Sequence, residues 1–421
     1  MPKSAKPEFD VIVWGATGFT GRLVAEYLAR TQDTHRARWA LAGRDRARLE
    51  QVRSTIAGIN TACAELPLVL ANAQDAASLD AMVGRTRVVI STVGPYARYG
   101  SELVAACARN GTDYCDLTGE VQWMRRMIDA HDAQARQSGA RIVHTCGFDS
   151  IPSDLGVLML QEYMREQHGG HCDRVRYYTT KLKGGVSGGT LASMLQMMDE
   201  LQKDPSLRRV LGNPHALDPE PRRGRPEERD QMSVRYDKEL GSWTAPFFMA
   251  SVNTRVVRRS NALLGHPWGK DFLYSEASSF GPGAKGLLGA TGMMAGLGAF
   301  FAVSSVPLVR QQLAERVLPA PGEGPSAEQR EKGSFTIKLL GEGQSARTGA
   351  RVKLEGKVAA KGDPGYAATS RMLAESALCL AFDDVPSAGG ILTPASGMGT
   401  RLIDRLRKAD MTFEVREAVA R

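Results

Sequence analysis

The first third of the chain alternates short apolar runs with stretches in which apolar residues recur every three or four positions. Apolar, β-branched runs bounded by polar turns predict strands, and the longer recurrence predicts amphipathic helices. We expect strands at 11–14, 39–42, 66–70, 88–92, 113–116 and 141–144. We expect helices over 20–30, 45–57, 75–83, 99–109 and 120–137. The alternation predicts an α/β, doubly wound parallel sheet with ligands at the carboxyl ends of its strands.

This rhythm stops after Leu155. Strand patterns follow at 173–181, 335–340 and 351–359, and helical patterns at 190–201, 367–381 and 393–408. The polar, mixed-charge stretch 203–232 predicts a solvated loop. We therefore expect a second, non-wound α+β domain that carries the substrate pocket.

The segment 286–309 has no charged residue between Lys285 and Arg310. It is long enough to cross a bilayer, yet it is rich in glycine and contains Pro307. Three interpretations remain open: a buried helix at a domain or dimer interface, a membrane-dipping segment, and the wall of an apolar substrate tunnel. Length and apolarity alone do not separate them.

Three glycines follow the first predicted strand in the spacing G-x-x-G-x-x-G, and a helical pattern comes directly after them. This order is the context of a dinucleotide site. Gly15 allows a sharp turn, Gly18 lets backbone approach a pyrophosphate, and Gly21 lets helix and strand pack closely. The helix N-terminus then offers N–H groups to the phosphates. The candidate cofactor-binding residues here are Gly15, Ala16, Thr17, Gly18, Phe19, Thr20 and Gly21. An ordinary strand–helix turn is the alternative.

The end of the second strand indicates which nicotinamide cofactor is bound. NAD enzymes usually carry an acidic residue there for the ribose hydroxyls. This chain has Gly43 and Arg44 instead, and a guanidinium can bind a 2′-phosphate through two hydrogen bonds. Asp45 is expected to cap the next helix. Arg44 therefore favours NADP(H), with a solvated surface arginine as the alternative.

The fourth strand also ends in small residues and a Gly-Pro turn. We expect this turn beside the ribose and nicotinamide, with Thr92, Val93, Gly94 and Pro95 as cofactor-binding residues. Tyr96 is the first side chain there that could donate a proton or stabilise an oxyanion. The alternative is a packing aromatic whose hydroxyl bonds a backbone carbonyl.

Two further strand exits carry polar side chains. Asp116, Glu120, Asp149 and Ser150 are candidate cleft residues, although helix capping explains such positions equally well. Thr118, Ser153 and Asp154 are further capping candidates, and His144 is expected to be structural. The spacing predicts neither a Ser-His-Asp arrangement nor a metal site.

Composition narrows the class of protein. The 421 residues carry a net charge of +8, which attracts phosphates and anionic lipid surfaces. No nucleic-acid recognition motif is present, and 6% aromatics offers no base-stacking array, so specific nucleic-acid binding is not expected. The six cysteines form no C-x-x-C pair, and the N-terminus has no signal-peptide core. These features indicate a cytoplasmic protein with reduced, buried thiols.

The motifs at 15–21, 91–96, 114–120 and 147–154 together resemble the saccharopine dehydrogenase-like oxidoreductases. Those at 321–326, 362–366 and 390–396 are similar to the branch called trans-acting enoyl reductases. The resemblance therefore extends over nearly the whole chain.

The resemblance implies a Rossmann domain for NADP(H) over 1–155, an α+β substrate and dimerisation domain over 156–385, and a helix in 386–421 that returns to the first domain. It also implies reduction of an unsaturated acyl chain, carrier-bound or free, in lipid, glycolipid or polyketide assembly. Relatives are associated with lipid surfaces, so we expect this protein to contact the inner face of the plasma membrane. Whether it forms a homodimer stays open. True saccharopine reductases need a basic site for several carboxylates, and no such set is identified here.

The expected mechanism is hydride transfer from NADPH to the β-carbon of an apolar α,β-unsaturated acyl thioester. Tyr96, or backbone N–H groups near Gly94 and Gly147, would stabilise the enolate oxygen. Asp149 or water would supply the proton to the α-carbon. Two alternatives remain: an amino-acid or imine dehydrogenase, and a non-catalytic, lipid-associated NADP-binding protein.

Overall fold

Strands form two seven-stranded sheets in a computed structural model that describes residues 7–184, 188–304, 306 and 324–418. The strands are β1 Phe9–Trp14, β2 Trp39–Gly43, β3 Leu68–Leu70, β4 Thr86–Ser91, β5 Asp113–Asp116, β6 Arg141–Val143, β7 Cys172–Lys183, β8 Arg235–Asp237, β9 Ser242–Pro246, β10 Leu273–Ser279, β11 Ser334–Gln344, β12 Arg351–Lys361, β13 Gly390–Leu392 and β14 Met411–Glu417.

The helices are Phe19–Arg30, Gln32–His35, Arg46–Ala57, Ala76–Val83, Tyr96–Tyr99, Ser101–Asn110, Val121–Ser138, Ile151–His168, Gly188–Lys203, Leu207–Gly212, Ala250–Leu263, Gly283–Ser304, Ala327–Glu331, Thr369–Phe382 and Pro394–Lys408. Short 3-10 turns lie at Thr61–Cys63 and Pro226–Glu228, and a π turn lies at Pro364–Ala368.

The first sheet is parallel, with the strand order β13-β6-β5-β4-β1-β2-β3. β1 lies between β2 and β4, so the strand order reverses there and leaves a crevice at the strand ends. The apolar runs of β1 and β4 are buried because helices cover both faces of the sheet. The predicted doubly wound sheet and its six strands are confirmed.

The second sheet is mixed, with the order β14-β12-β11-β7-β10-β9-β8. β7 and β10 are parallel, whereas its other neighbouring strands are antiparallel. The helix Ile151–His168 leads from the first sheet to the second and packs beneath it. There Gly156 leaves room for Leu339 and Val358. The predicted α+β region is confirmed.

The C-terminal third is shared between the sheets in a way that the expected boundaries miss. The helix Thr369–Phe382, expected in the second domain, packs on β1, β4 and β5 of the first. The Tyr27 hydroxyl donates to Glu375 of that helix at 2.7 Å. β13 pairs with β6 of the first sheet, the helix Pro394–Lys408 contacts both β6 and β14, and β14 pairs with β12 in the second sheet. Pairing partners far along the chain decide this, so local pattern does not reveal it.

The charged stretch 203–232 is not solvated throughout. Glu228 is buried and accepts hydrogen bonds from Arg222 and Arg225, while His215 lies 3.2 Å from the same carboxylate. A buried carboxylate needs such partners to offset its desolvation. The loop prediction is therefore wrong in part, because the charges pair with one another. The cysteine prediction is confirmed, since all six are free and buried.

The helix Gly283–Ser304, which we call the uncharged helix because it has no charged residue after Lys285 in its first turn, covers most of the segment 286–309. Within it Gly286, Ala290 and Ser304 are buried, and large apolar side chains such as Leu288 are exposed. By length and composition it could cross a membrane. The interpretation of a helix buried at a domain interface is therefore wrong for this described part, whereas burial at a dimer interface stays a prediction. Residues 305 and 307–309 lie outside the described residues.

Candidate functional site

The glycine turn after β1 has the geometry that its spacing predicts. Gly15 has a φ of +84°, a backbone conformation that favours glycine. A Cβ on Gly21 would lie 2.2 Å from the Gly15 carbonyl oxygen, so helix and turn pack too closely for any side chain. The predicted turn at Gly15 and close packing at Gly21 are confirmed, and the role of Gly18 toward a pyrophosphate stays a prediction.

The helix Phe19–Arg30 starts at this turn with its N-terminus facing the crevice. Gly18 precedes it in extended backbone, and no side chain caps the helix. The first-turn N–H groups of Phe19, Thr20 and Gly21 can therefore bind phosphate oxygens. Ala16 and Thr17 complete the turn, whose backbone the N–H of Gly15 ties to the Ala42 carbonyl of β2 at 3.0 Å. The residues present thus fit a dinucleotide pyrophosphate.

Arg44 lies one residue beyond β2, beside this turn. Its side chain is exposed and forms no ion pair with another described residue. Asp45 accepts a hydrogen bond from the Arg48 N–H at 3.1 Å, so its predicted helix cap is confirmed. The position of Arg44 fits a 2′-phosphate, with the guanidinium available to it.

The loop after β4 is held against the glycine turn. The Thr92 hydroxyl lies 3.1 Å from the Trp14 carbonyl oxygen and 3.2 Å from that of Gly15. A Cβ on Gly15 would approach a methyl group of Val93 to 2.6 Å. The peptide between Gly94 and Pro95 is cis. The structure therefore brings the two predicted cofactor loops together at the switch point of the sheet.

A cavity of about 300 Å³ opens between these loops and the second domain. Thr20, Thr92 and Gly94 line it on the side of the first sheet. Its apolar wall includes Leu117, Val121, Phe148, Leu182, Met194, Met197, Leu211, Phe248, Met249 and Val252. Glu120 and Asp149 are the ionisable carboxyl groups in its described lining, which contains no Lys, Arg or His. The cavity therefore suits an apolar group beside a nicotinamide.

Asp149 lies in this cavity as predicted. Desolvation by the surrounding protein raises the pKa of its carboxyl group to about 7, and the nearby Asp116 adds to the rise. A carboxyl group that titrates near neutral pH can hold and release a proton. Its position and ionisation both fit the proposed general acid.

Tyr96 also lines the cavity, but its hydroxyl is engaged elsewhere. The hydroxyl donates to the Ser91 carbonyl at 3.0 Å and accepts from the Leu117 N–H at 3.2 Å. The ring packs against Trp123, with 5.5 Å between centroids. This geometry favours the packing alternative over a catalytic Tyr96, because both hydroxyl bonds would compete with a substrate oxygen.

The Glu120 carboxylate links the segment that follows the predicted nicotinamide-binding loop 92–95 to the helix Gly188–Lys203 on the other side of the cavity. Its carboxylate accepts from the N–H groups of Tyr96 and Ala97, each at 2.8 Å, and from the Ser193 hydroxyl at 2.9 Å. Burial raises its pKa despite these bonds. It therefore caps the short helix Tyr96–Tyr99 rather than its own helix.

The other candidate cleft residues lie behind the cavity, outside its described lining. Asp116 accepts from the Tyr114 hydroxyl at 2.9 Å and contacts His144 Nδ1 at 2.7 Å. The Ser150 hydroxyl donates to Asn253 at 3.0 Å. The cleft prediction is therefore wrong for these two residues, because buried partners from other elements hold their side chains.

The side chains of the capping candidates Asp154 and Thr118 both accept hydrogen bonds from backbone N–H groups, and Asp154 does so at a helix other than its own. The Asp154 carboxylate accepts from the Ser260 hydroxyl and, at 2.8 Å, from the Ala395 N–H, so it caps a helix 241 residues away. Thr118 accepts from the Glu120 N–H at 3.2 Å. His144 is buried and structural, as expected.

The sequence missed most of the apolar cavity wall. Met194 and Met197 come from the helix Gly188–Lys203, Leu182 from the end of β7, and Phe248 and Met249 from the loop after β9. Apolar residues on separate elements carry no chemical signature, so no motif marked them. The uncharged helix contributes nothing to the described lining, so the tunnel-wall prediction is wrong for residues 286–304.

Comparison with known proteins agrees with this geometry. Residues 11–143 match the family model of the saccharopine dehydrogenase NADP binding domain. A Mycobacterium tuberculosis protein provisionally named as a trans-acting enoyl reductase is 44% identical over 420 residues, covering 97% of each chain. The Mycobacterium leprae trans-acting enoyl reductase is 40% identical and covers 97% of this chain and 98% of its own.

Among solved structures, the chain is similar to apo saccharopine dehydrogenase (L-Glu forming) from Saccharomyces cerevisiae. The TM-score is 0.54 and the identity 13%, over 98% of this chain and 100% of that one. At this identity the likeness concerns the fold alone.

Proposed function

Because the chain belongs to the saccharopine dehydrogenase-like oxidoreductases, in the trans-acting enoyl reductase branch, and is an NADP(H)-dependent oxidoreductase, we propose that it reduces an enoyl group during lipid or polyketide assembly. The substrate of this proposal is an α,β-unsaturated acyl thioester, held on a carrier in the cytoplasm. The names of the relatives support the reaction, and the cavity supports an apolar acyl chain.

The observation that carries the proposal is one apolar cavity that joins the nicotinamide loop to a protonatable carboxyl group. Thr92 and Gly94 border one end of it, and Met194 and Met197 border the helix side. Asp149 lies in the same lining, with a pKa of about 7. An enoyl group needs these two features together: a dry apolar pocket and a proton source.

The residues of the chain divide the work as follows. The glycine turn holds the pyrophosphate and Arg44 the 2′-phosphate, while the loop 92–95 orients the nicotinamide. NADPH supplies the hydride when it is bound. Asp149 in its neutral form donates its proton to the substrate α-carbon and regains one from solvent. The apolar wall excludes water from the reacting atoms.

The cavity chemistry disfavours an amino-acid or imine dehydrogenase of the saccharopine reductase type. A substrate with several carboxylates requires cationic partners, because a buried unpaired charge is costly. The described cavity lining contains no Lys, Arg or His. The non-catalytic, lipid-associated NADP-binding protein is the remaining rival, and only turnover separates it from the enzyme.

The test is NADPH oxidation, followed by absorbance, with crotonyl and longer enoyl thioesters and with imino acids. We expect turnover of the enoyl thioesters, and a Met197→Trp variant that loses it for longer chains while it still binds NADPH. Met232→Trp is the control, because Met232 is 73% exposed outside the cavity. Turnover of imino acids alone would refute the proposal, and tight NADPH binding without any turnover would favour the rival.

A further inference from the structure

The uncharged helix presents an apolar surface, most of which is exposed in the part of the chain that the structure describes. Its 22 residues span about 33 Å, close to the thickness of the hydrocarbon core of a bilayer. Leu288 is 72% exposed, and no atom of another described element lies within 4 Å of a Cβ added at Gly292 or Gly296. The helix contacts the rest of the described protein mainly at β9 and β10. Most of the helix therefore stands away from the folded body.

A helix on an ordinary protein surface has one apolar and one polar face. Beyond Lys285 in its first turn this helix lacks the polar face, because the sequence contains no charged residue from Gly286 to Val309. Its exposed apolar side chains include Leu287, Leu288, Phe301 and Val303. We propose that the uncharged helix inserts into one leaflet of a lipid bilayer and holds the mouth of the cavity at the membrane surface.

Insertion into a single leaflet follows from the sheet topology. β10 precedes the helix and β11 follows it, and both pair with β7, where Thr179 lies opposite Ser278 and Ile337. A single crossing would place these neighbouring strands on opposite sides of the membrane. A second crossing through 305–323 would carry Arg310 and Arg316 into the hydrocarbon, at high cost. The chain therefore enters and leaves the bilayer on the same side, and the helix lies along one leaflet instead of crossing both.

The cavity mouth lies at the same end of the second sheet. Leu182 lines the cavity, is 40% exposed, and lies three residues beyond Thr179 on β7. The helix begins at Gly283, five residues beyond Ser278 on the adjacent parallel strand. An acyl chain in the leaflet could thus reach the cavity without crossing water. This assignment of the acyl source rests on the proposed function, whereas the insertion itself does not.

A second copy of the chain is the competing occupant. Gly292 and Gly296 have the G-x-x-x-G spacing that lets two apolar helices approach closely. A helix pair in water would cover only one face, however, and this helix is apolar on every face. The basic net charge of +8 also favours a surface of anionic lipid. Both arguments favour the leaflet.

Flotation of the full chain with vesicles of phosphatidylcholine and phosphatidylglycerol tests the proposal. We expect the wild type to float and the Leu288→Lys/Phe301→Lys variant to lose at least about tenfold in vesicle-bound fraction, since a buried lysine opposes insertion. Met232→Lys, at an exposed apolar position elsewhere, should float like the wild type. As a second measurement, an environment-sensitive dye on Leu288→Cys should shift to the blue on vesicle addition, whereas the dye on Met232→Cys should not.

Three outcomes overturn insertion: a wild type that stays with the soluble fraction, a double lysine variant that floats equally well, and a dye at position 288 that does not shift. If the double variant turns a dimer into a monomer in light scattering and the wild type ignores vesicles, the occupant is a second copy. Turnover of short, soluble enoyl thioesters by the double variant should equal that of the wild type. Flotation without any such turnover would preserve the insertion and refute the enzymatic proposal.

Discussion

Replacing Asp149 by asparagine tests the central electrostatic claim about the cavity without the need for a substrate. Asparagine has nearly the same shape as aspartate but cannot ionise. Burial raises the pKa of the native carboxyl group from 3.8 to about 7. The native state therefore binds this proton more tightly than the unfolded state does. The resulting stability is fully present below about pH 4 and is lost as the pH rises through about 7.

The magnitude follows from the size of the shift. At about 1.4 kcal/mol per pKa unit, ionising Asp149 between pH 5 and pH 8 would cost the wild type up to about 3 kcal/mol. Water in the open cavity screens part of this, so we expect about 1–3 kcal/mol. Asp149→Asn should gain that much stability relative to the wild type between the two pH values. Asp154 and Glu276, whose pKa values are also raised to about 7, remain in both proteins and cancel.

Urea unfolding at pH 5 and pH 8 measures the difference, with Asp384→Asn as an exposed control that should follow the wild type. In the turnover assay, wild-type kcat/KM should fall about tenfold per pH unit above pH 7, as the neutral acid disappears. Asp149→Asn should lose about 10²–10⁴-fold in rate. An Asp149→Asn stability that changes with pH in parallel with the wild type would refute a neutral Asp149.

Three further predictions concern the cofactor loops. Arg44→Asp should lower the affinity for NADPH by about tenfold or more and leave the affinity for NADH unchanged. Arg46→Asp, at an exposed position two residues later, should leave both affinities unchanged. Isothermal titration measures both affinities. Gly21→Ala should lower the free energy of unfolding by about 1–3 kcal/mol, because the new Cβ would lie 2.2 Å from the Gly15 carbonyl oxygen. Gly18→Ala should lower it by less than about 1 kcal/mol, because there the Cβ lies 3.3 Å from the same oxygen. Equal urea midpoints for the two variants would contradict this. Glu120→Gln should lower the free energy of unfolding by about 1–3 kcal/mol, because one amide oxygen replaces two carboxylate oxygens as acceptor for the Tyr96 and Ala97 N–H groups. Ser193→Ala should lower it by less, and thermal denaturation of the two variants measures the difference.

Some features of the site are local, so the pattern of residues predicts them well. The positive φ at Gly15 and the contact at Gly21 arise within one strand–turn–helix unit. The spacing of the glycines is itself the geometric requirement. Arg44 and Asp149 are likewise identified by their positions just beyond strand ends, where a parallel sheet gathers its ligand contacts.

Tyr96 illustrates where such arguments stop. Its position after a strand predicted a cleft residue, and its ring does line the cavity. The direction of its hydroxyl depends on the Ser91 carbonyl and on the Leu117 N–H from a neighbouring strand exit. A phenol that can donate to substrate and a phenol that bonds backbone occupy the same position in the sequence. Three-dimensional neighbours separate them.

The sequence by itself determined the first sheet, the nucleotide turn and the uncharged character of 286–309, because each depends on residues within one or two elements. The tertiary structure decided which apolar residues face the cavity, since Leu182, Met197 and Phe248 come from three separate elements. It also decided the destinations of the helix Thr369–Phe382 and of β14, and that the uncharged helix stands outside the body. The physical reason is the same in each case: burial and hydrogen bonding are satisfied between distant parts of the chain, and local pattern contains no record of which partner is chosen.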